Sequence, residues 1–177
     1  MSTNTQTISS TRNATKTLVI NALFIALTLV ATFINITIPF MGMGNGALAH
    51  LGNVPLFIAA IVYGKKTGAL AGAFGMGMFD LVSGWAIWAP FTFVIVGIMG
   101  FMVGLITEKL HFKPVVVNTI AIGVALIIKV VGYYFAEVII YGNWYIPFGS
   151  IPANVLQVVV GGIIVIPIVE RLKKLAI

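Results

Sequence analysis

The chain has no cysteine in 177 residues. Disulfide frameworks and thiolate chemistry are thereby excluded. Charge is scarce as well. Only 8% of residues are Asp, Glu, Lys or Arg, against roughly 25% in soluble domains. The sequence has no HExxH, no GxSxG and no cluster of His and carboxylates spaced for a metal. His50 falls in an outer region and His111 in a cytoplasmic loop, so the two histidines should not meet. A nucleotide loop is missing too. The glycine-rich segment GALAGAFGMGMFDLVSGW (68–85) follows Lys65 and Lys66. A Walker motif instead needs four residues between its glycines and then Gly-Lys-Ser/Thr. The chain is expected to be neither an enzyme nor an ATPase, and to carry no cofactor or metal of its own. Any ATP-driven work must use ATP held by partner subunits.

What the sequence has in quantity is apolar surface. It is 60% hydrophobic, with a mean hydropathy of +1.11. A water-soluble fold could not bury that much, so the chain reads as an all-α integral membrane protein. Long apolar runs rather than short alternating segments exclude an outer-membrane barrel. The length suits one bundle, not two membrane domains. The first 16 residues are polar and rich in Ser, Thr and Asn, and read as a disordered cytoplasmic tail. The apolar run after them exceeds a signal-peptide core and lacks a clear small-x-small cleavage site, so it should stay as the first span.

A span needs about 20 apolar residues. Six are expected, at roughly 17–40, 47–64, 68–88, 90–107, 114–141 and 150–170, the second interrupted by Pro55. MGMGNG (41–46) should separate the first two. Arg12, Lys16, Lys65, Lys66, Lys109, Lys113, Arg171, Lys173 and Lys174 then all fall on one side of the membrane. The opposite connections contain no Lys or Arg. By the positive-inside rule both termini are cytoplasmic. The net charge of +6 marks the inner leaflet of the bilayer and not a nucleic-acid surface.

Small residues recur at helical spacing. Gly68-x-x-x-Gly72 and Gly100-x-x-x-Gly104 read as close helix packing, because small residues let backbones approach. Ala22-x-x-x-Ala26 in the first span reads either as internal packing or as a docking face for another subunit.

The remaining signals are polar groups inside apolar runs, which are the informative ones in a membrane. In ALIIKVVGYYFAEVII (125–140), Lys129, Tyr133 and Glu137 are spaced i, i+4, i+8 and share one helix face. Lys129 and Glu137 stand about 12 Å apart along the axis, too far for easy direct pairing. Asp80 could pair with Lys129 instead. Asp80 with Trp85 and Trp88, His50 and Asn53, Asn143 and Trp144, and Asn154 and Gln157 all fall in the outward half. A structural ion-pair network and an interfacial aromatic belt would explain some of them. An outward-facing pocket with aromatic walls and a few placed polar groups would explain the set.

With these features on the page, the chain resembles a known family. The six-span layout, the Ala-x-x-x-Ala face and the segment HLGNVPLFIAAIVYGKKTGALAGAFGMGMFDLVSGW (50–85) resemble the S component of an energy-coupling factor (ECF) vitamin transporter. The resemblance covers about residues 17–174. Within the family, the 50–107 block looks most like the subgroup for hydroxymethylpyrimidine or pyridoxine. The resemblance implies a substrate-binding subunit that captures one small vitamin from outside. It implies partners: a transmembrane T component and two cytoplasmic ATPase subunits, in the cell membrane of a bacterium. It implies that Ala22 and Ala26 contact the T component. It implies a binding set of Lys129, Tyr133, Glu137, Asn143, Trp144, Asn154 and Gln157, with His50 and Asn53 near the entrance and Asp80, Trp85 and Trp88 beside them. Riboflavin or another vitamin is the alternative substrate. Outside this family, the sequence also allows an autonomous secondary transporter using Asp80 or Glu137 as proton carrier, or a membrane enzyme or structural subunit.

Overall fold

The computed structural model describes residues 2–37 and 48–176. It has six α-helices, α1 (Ser2–Phe33), α2 (Asn53–Tyr63), α3 (Lys65–Val82), α4 (Ala89–Lys109), α5 (Pro114–Tyr141) and α6 (Ile151–Ala176). Two short strands, β1 (Asn35–Thr37) and β2 (Leu48–His50), pair antiparallel between α1 and α2, with Asn35 opposite His50. A single 3-10 turn, Ile146–Gly149, precedes α6. The architecture is the expected all-α membrane bundle.

Among the described residues, four segments are long and apolar enough to cross a bilayer: Asn13–Phe33, Ala89–Lys109, Pro114–Tyr141 and Ile146–Ala176. α3 has 18 residues, about 27 Å at 1.5 Å per residue. The expected second span is different. Its first residues form β2, and α2 has only 11 residues, about 16 Å, too short to cross. The helix starts directly after Gly52 and carries Pro55 in its first turn, where proline's missing N–H has no helical partner to lose. The first span also differs from expectation. It ends at Phe33, and Asn35–Thr37 turn into strand, where the β-branched run from Ile34 favours extended backbone. At its other end, α1 begins at Ser2, so helix continues through the segment expected to be a disordered tail. No glycine or proline precedes Pro39, so nothing local breaks it. The MGMGNG connection lies outside the described residues.

α2 lies inside the bundle. It packs on α1, α3, α4 and α6, while α3 packs on α1 and α4, and α5 lies between α4 and α6. The core follows from this placement. Leu56 and Phe57 of α2, Val96, Met99 and Val103 of α4, Ala121 and Ala125 of α5, and Val158, Val165 and Val169 of α6 form one buried cluster. α3 and α4 meet at their glycines. A Cβ on Gly72 would stand 2.6 Å from the Val96 carbonyl oxygen, and one on Gly68 would stand 2.8 Å from that of Gly100. A Cβ on Gly100 would run into the Gly68 backbone. In lipid, where helices have little hydrophobic drive to associate, such close approach supplies the dispersion contacts that hold them.

At one end of the bundle, Gly64 makes the turn from α2 to α3 at φ 92°, a left-handed conformation that glycine adopts without strain. The open space beside it is filled by Glu108, which accepts from the Lys65 backbone N–H at 3.0 Å and pairs with its ammonium at 2.6 Å. This staple joins the α2–α3 turn to the foot of α4. A second one joins α5 to α6, where Asn118 donates to Glu170 at 3.2 Å. The Phe24–Tyr63 and Phe33–Phe79 ring pairs show that α1 runs from the side of this end toward the other.

The lysine-bearing turns thus gather at one end and the β-strands, Trp85, Trp88 and Gly142 at the other. We predict that a cysteine at Gly142 reacts with an impermeant thiol reagent in intact cells and that one at Thr67 does not. Labelling of Thr67 alone would invert the orientation.

Candidate functional site

The end opposite the lysines holds a cavity with an empty volume of about 530 Å3, open mouth included. Each wall is a different element. Thr32 comes from the last turn of α1, Leu48 and His50 from β2, and Met76, Phe79 and Asp80 from α3. Trp85 and Trp88 come from the α3–α4 connection and Thr92 from α4. Lys129, Tyr133 and Glu137 come from α5, and Asn154 and Gln157 from α6.

The i, i+4, i+8 triplet of α5 does present one face to this space. Lys129 is 1% exposed and Glu137 4%. A buried ammonium needs hydrogen bonds or a counter-charge. Lys129 Nζ donates to Gln157 Oε1 at 2.7 Å and lies 5.9 Å from the centre of the Tyr133 ring. Gln157 Nε2 in turn donates to the Leu48 carbonyl at 2.5 Å. The amide orientation is dictated by its partners: lysine can only donate and a carbonyl can only accept. This chain ties β2 to α6 and α5. A second chain stands beside the first. Thr92 Oγ1 donates to Asp80 Oδ2 at 2.5 Å and lies 2.9 Å from Tyr133 Oη. It ties α3, α4 and α5 together.

His50 Nδ1 accepts from the Gly52 backbone N–H at 3.2 Å. That assigns the proton of the neutral ring to Nε2. Trp85 and Trp88 meet edge to face with centroids 5.3 Å apart, and Trp88 meets Tyr141 at 6.2 Å. They wall the mouth with π surface.

Asp80, Lys129 and Glu137 share this cavity, yet no two of them pair. Among the described residues the one ion pair is Lys65–Glu108, far away at the lysine-rich end. The suggested Asp80–Lys129 bridge does not form. The cavity therefore offers separated positive and negative groups and aromatic walls to a ligand that can answer all of them. No group of three metal-ligating side chains stands together among the described residues.

Of the residues expected from sequence, nine line the cavity: His50, Asp80, Trp85, Trp88, Lys129, Tyr133, Glu137, Asn154 and Gln157. Three do not. Asn53 is fully buried against Gly161 of α6, outside the cavity. Asn143 caps the turn before α6, its Oδ1 accepting from the Tyr145 and Ile146 N–H groups at 2.7 and 3.2 Å. Trp144 is 60% exposed, and its carbonyl accepts from Tyr134 Oη. All three are polar or aromatic residues expected in the outward half, but sequence proximity did not put them on the cavity. Thr32 and Thr92, which do line it, were not expected. A threonine in an apolar helix carries no signal of its own, since its hydroxyl can satisfy itself on the preceding turn, as Thr32 does on the Thr28 carbonyl at 2.7 Å. Ala22 and Ala26 lie on the exposed side of α1, opposite buried Phe24 and Thr28.

Comparison with known proteins agrees with this fold. A solved structure described as "Structure and mechanism of the S component of a bacterial ECF transporter" superposes with a TM-score of 0.73, covering 92% of this chain and 98% of its own. Its sequence identity is 22%, so the likeness is one of fold. The "Thiamine precursor transporter HmpT" of Lactococcus lactis subsp. cremoris (strain MG1363) is 29% identical over 160 residues, 88% of this chain and 89% of that protein. An "Uncharacterized protein in gap 3'region" of Pyrococcus woesei is 27% identical over 143 residues, 79% and 88% of the two chains. The family model for "ECF-type riboflavin transporter, S component" matches residues 12–174. With nearly its whole length matched, the chain belongs to this family of ECF transporter S components.

Proposed function

We propose that the chain captures a small one-ring vitamin precursor, hydroxymethylpyrimidine before pyridoxine, at the outer face of a bacterial cell membrane. It hands that ligand to a T component powered by two ATPase subunits. S components are substrate-binding transporter subunits and not enzymes, and their ATPase is a separate chain. The single observation that carries the finer reading is the cavity in which Asp80, Glu137 and Lys129 stand unpaired with one another among aromatic walls. A heterocycle with exocyclic donors and ring acceptors answers carboxylates on one side and an ammonium on another, while Trp85, Trp88 and Tyr133 offer π surface to it. The thiamine-precursor relative supports the same reading.

Riboflavin is the second reading, favoured by the name of the matching family model. A proton-coupled transporter acting alone is a third, favoured by two carboxylates in one cavity. Reconstitution separates that last possibility from the importer. The proposal expects labelled hydroxymethylpyrimidine to enter proteoliposomes only when the T component, the ATPases and ATP are all present. Uptake by this chain alone under a pH gradient would replace it with the secondary transporter.

A further inference from the structure

We infer that Thr92 is a specificity-determining residue: it fixes the direction of a hydrogen-bond chain so that the Asp80–Tyr133 wall of the cavity can only accept. The inference rests on the one-ring reading above and names the ligand edge that this wall takes. A threonine hydroxyl has one proton and two lone pairs. Thr92 gives its proton to Asp80 Oδ2. Its contact with Tyr133 Oη at 2.9 Å must then run the other way, with the phenol donating to Thr92. Tyr133 consequently has no proton left for the cavity and shows it lone pairs alone. An ionised Asp80 accepts by nature.

The adjoining Lys129–Gln157 wall, one turn away along α5, has the reverse polarity. Lys129 is a donor only, and Gln157 has its oxygen engaged by that ammonium. Gln157 Nε2 uses one N–H on Leu48, leaving one more. Donors and acceptors therefore stand side by side in the cavity. A ligand must present an amine, hydroxyl or protonated ring nitrogen to the Asp80–Tyr133 wall and a lone pair to the Lys129–Gln157 wall. Thr92 is 1% exposed, so water does not readily substitute for its hydroxyl.

Two measurements test this. The first needs no ligand. In ultraviolet resonance Raman, the tyrosine Fermi doublet distinguishes a phenol that donates from one that only accepts. The wild type minus Tyr133→Phe difference spectrum should report a donor, and Thr92→Val should lose that signature while Thr92→Ser keeps it. A Tyr133 that only accepts would place the proton on Asp80, reverse the chain and overturn the proposal. The second uses hydroxymethylpyrimidine and its 4-methoxy analogue, in which an acceptor oxygen replaces the donor amine. Wild type and Thr92→Ser should prefer the amine at least about tenfold, because the analogue leaves buried acceptors unmatched. Thr92→Val, nearly the same shape, frees the phenol proton and should lose most of that preference. Equal preference in wild type and Thr92→Val would overturn the role of Thr92. Binding of neither pyrimidine, with the Raman donor signature intact, would support the wall's polarity and overturn the one-ring reading instead.

Discussion

Ala22→Trp and Ala26→Trp are each expected to abolish ATP-dependent uptake and co-purification with a T component, while the isolated subunit keeps its ligand affinity. The expectation comes from how α1 is faced. Phe24, Thr28 and Thr32, spaced i, i+4, i+8, are 7%, 0% and 1% exposed and turn inward. Thr28 fits against Gly75 of α3, where any Cβ would strike it. The other side carries Ala22 and Ala26 with Leu23, Leu27 and Val30, all exposed. In lipid such a small-residue face gains little from hydrophobicity and much from close contact. An indole at either alanine would hold a partner helix away and forfeit many dispersion contacts together. The cavity takes only Thr32 from α1, more than a turn beyond Ala26, so binding and assembly should separate. Uptake with radiolabelled ligand, pull-down of the T component and calorimetric binding give the three readouts. Assembly and transport at wild-type levels in both variants would make the alanines ordinary surface. Loss of binding along with assembly would contradict the claimed independence of face and cavity.

Lys129→Met and Glu137→Gln are expected to weaken ligand binding by roughly tenfold to a hundredfold each, the equivalent of about 1.5–3 kcal/mol for a charged hydrogen-bond partner. Both groups are buried and line the cavity without pairing with each other. Removing either leaves the ligand's matching group without an answer in a place where water replaces it poorly. Trp144→Ala is the control. Its ring is largely exposed and outside the cavity, so affinity should stay unchanged. A thermal melt of each variant reports whether the bundle is intact. Affinity within about twofold of wild type in both charge variants, against the tenfold expected, would mean that the ligand sits elsewhere.

Much of this molecule was legible in its sequence, and the parts that were not have physical reasons. Hydropathy and the placement of nine cations identify a membrane bundle, because lipid demands long apolar helices and charges resist crossing it. Gly68, Gly72, Gly100 and Gly104 announce their packing because only a missing side chain permits it. Lys129, Tyr133 and Glu137 declare a common face because helical periodicity is local. The pairing of β1 with β2 is not local: two three-residue strands carry too little pattern to compete with an apolar run that also reads as helix. The shortness of α2 was hinted at only by Pro55. Asn143 was misleading, since an asparagine after a helix serves as a turn cap as readily as a ligand. Thr92 could not be read at all. Its role exists only because α3, α4 and α5 bring Asp80, Thr92 and Tyr133 together from positions 12 and 41 residues apart.

The central claim is that the outward cavity is built for a one-ring, donor-bearing heterocycle. Titration calorimetry of the purified chain in lipid nanodiscs, with hydroxymethylpyrimidine and riboflavin injected separately and then in competition, tests it most directly. The account predicts saturable one-to-one binding of hydroxymethylpyrimidine that excess riboflavin does not displace. Tight binding of riboflavin, with hydroxymethylpyrimidine inert, would contradict it.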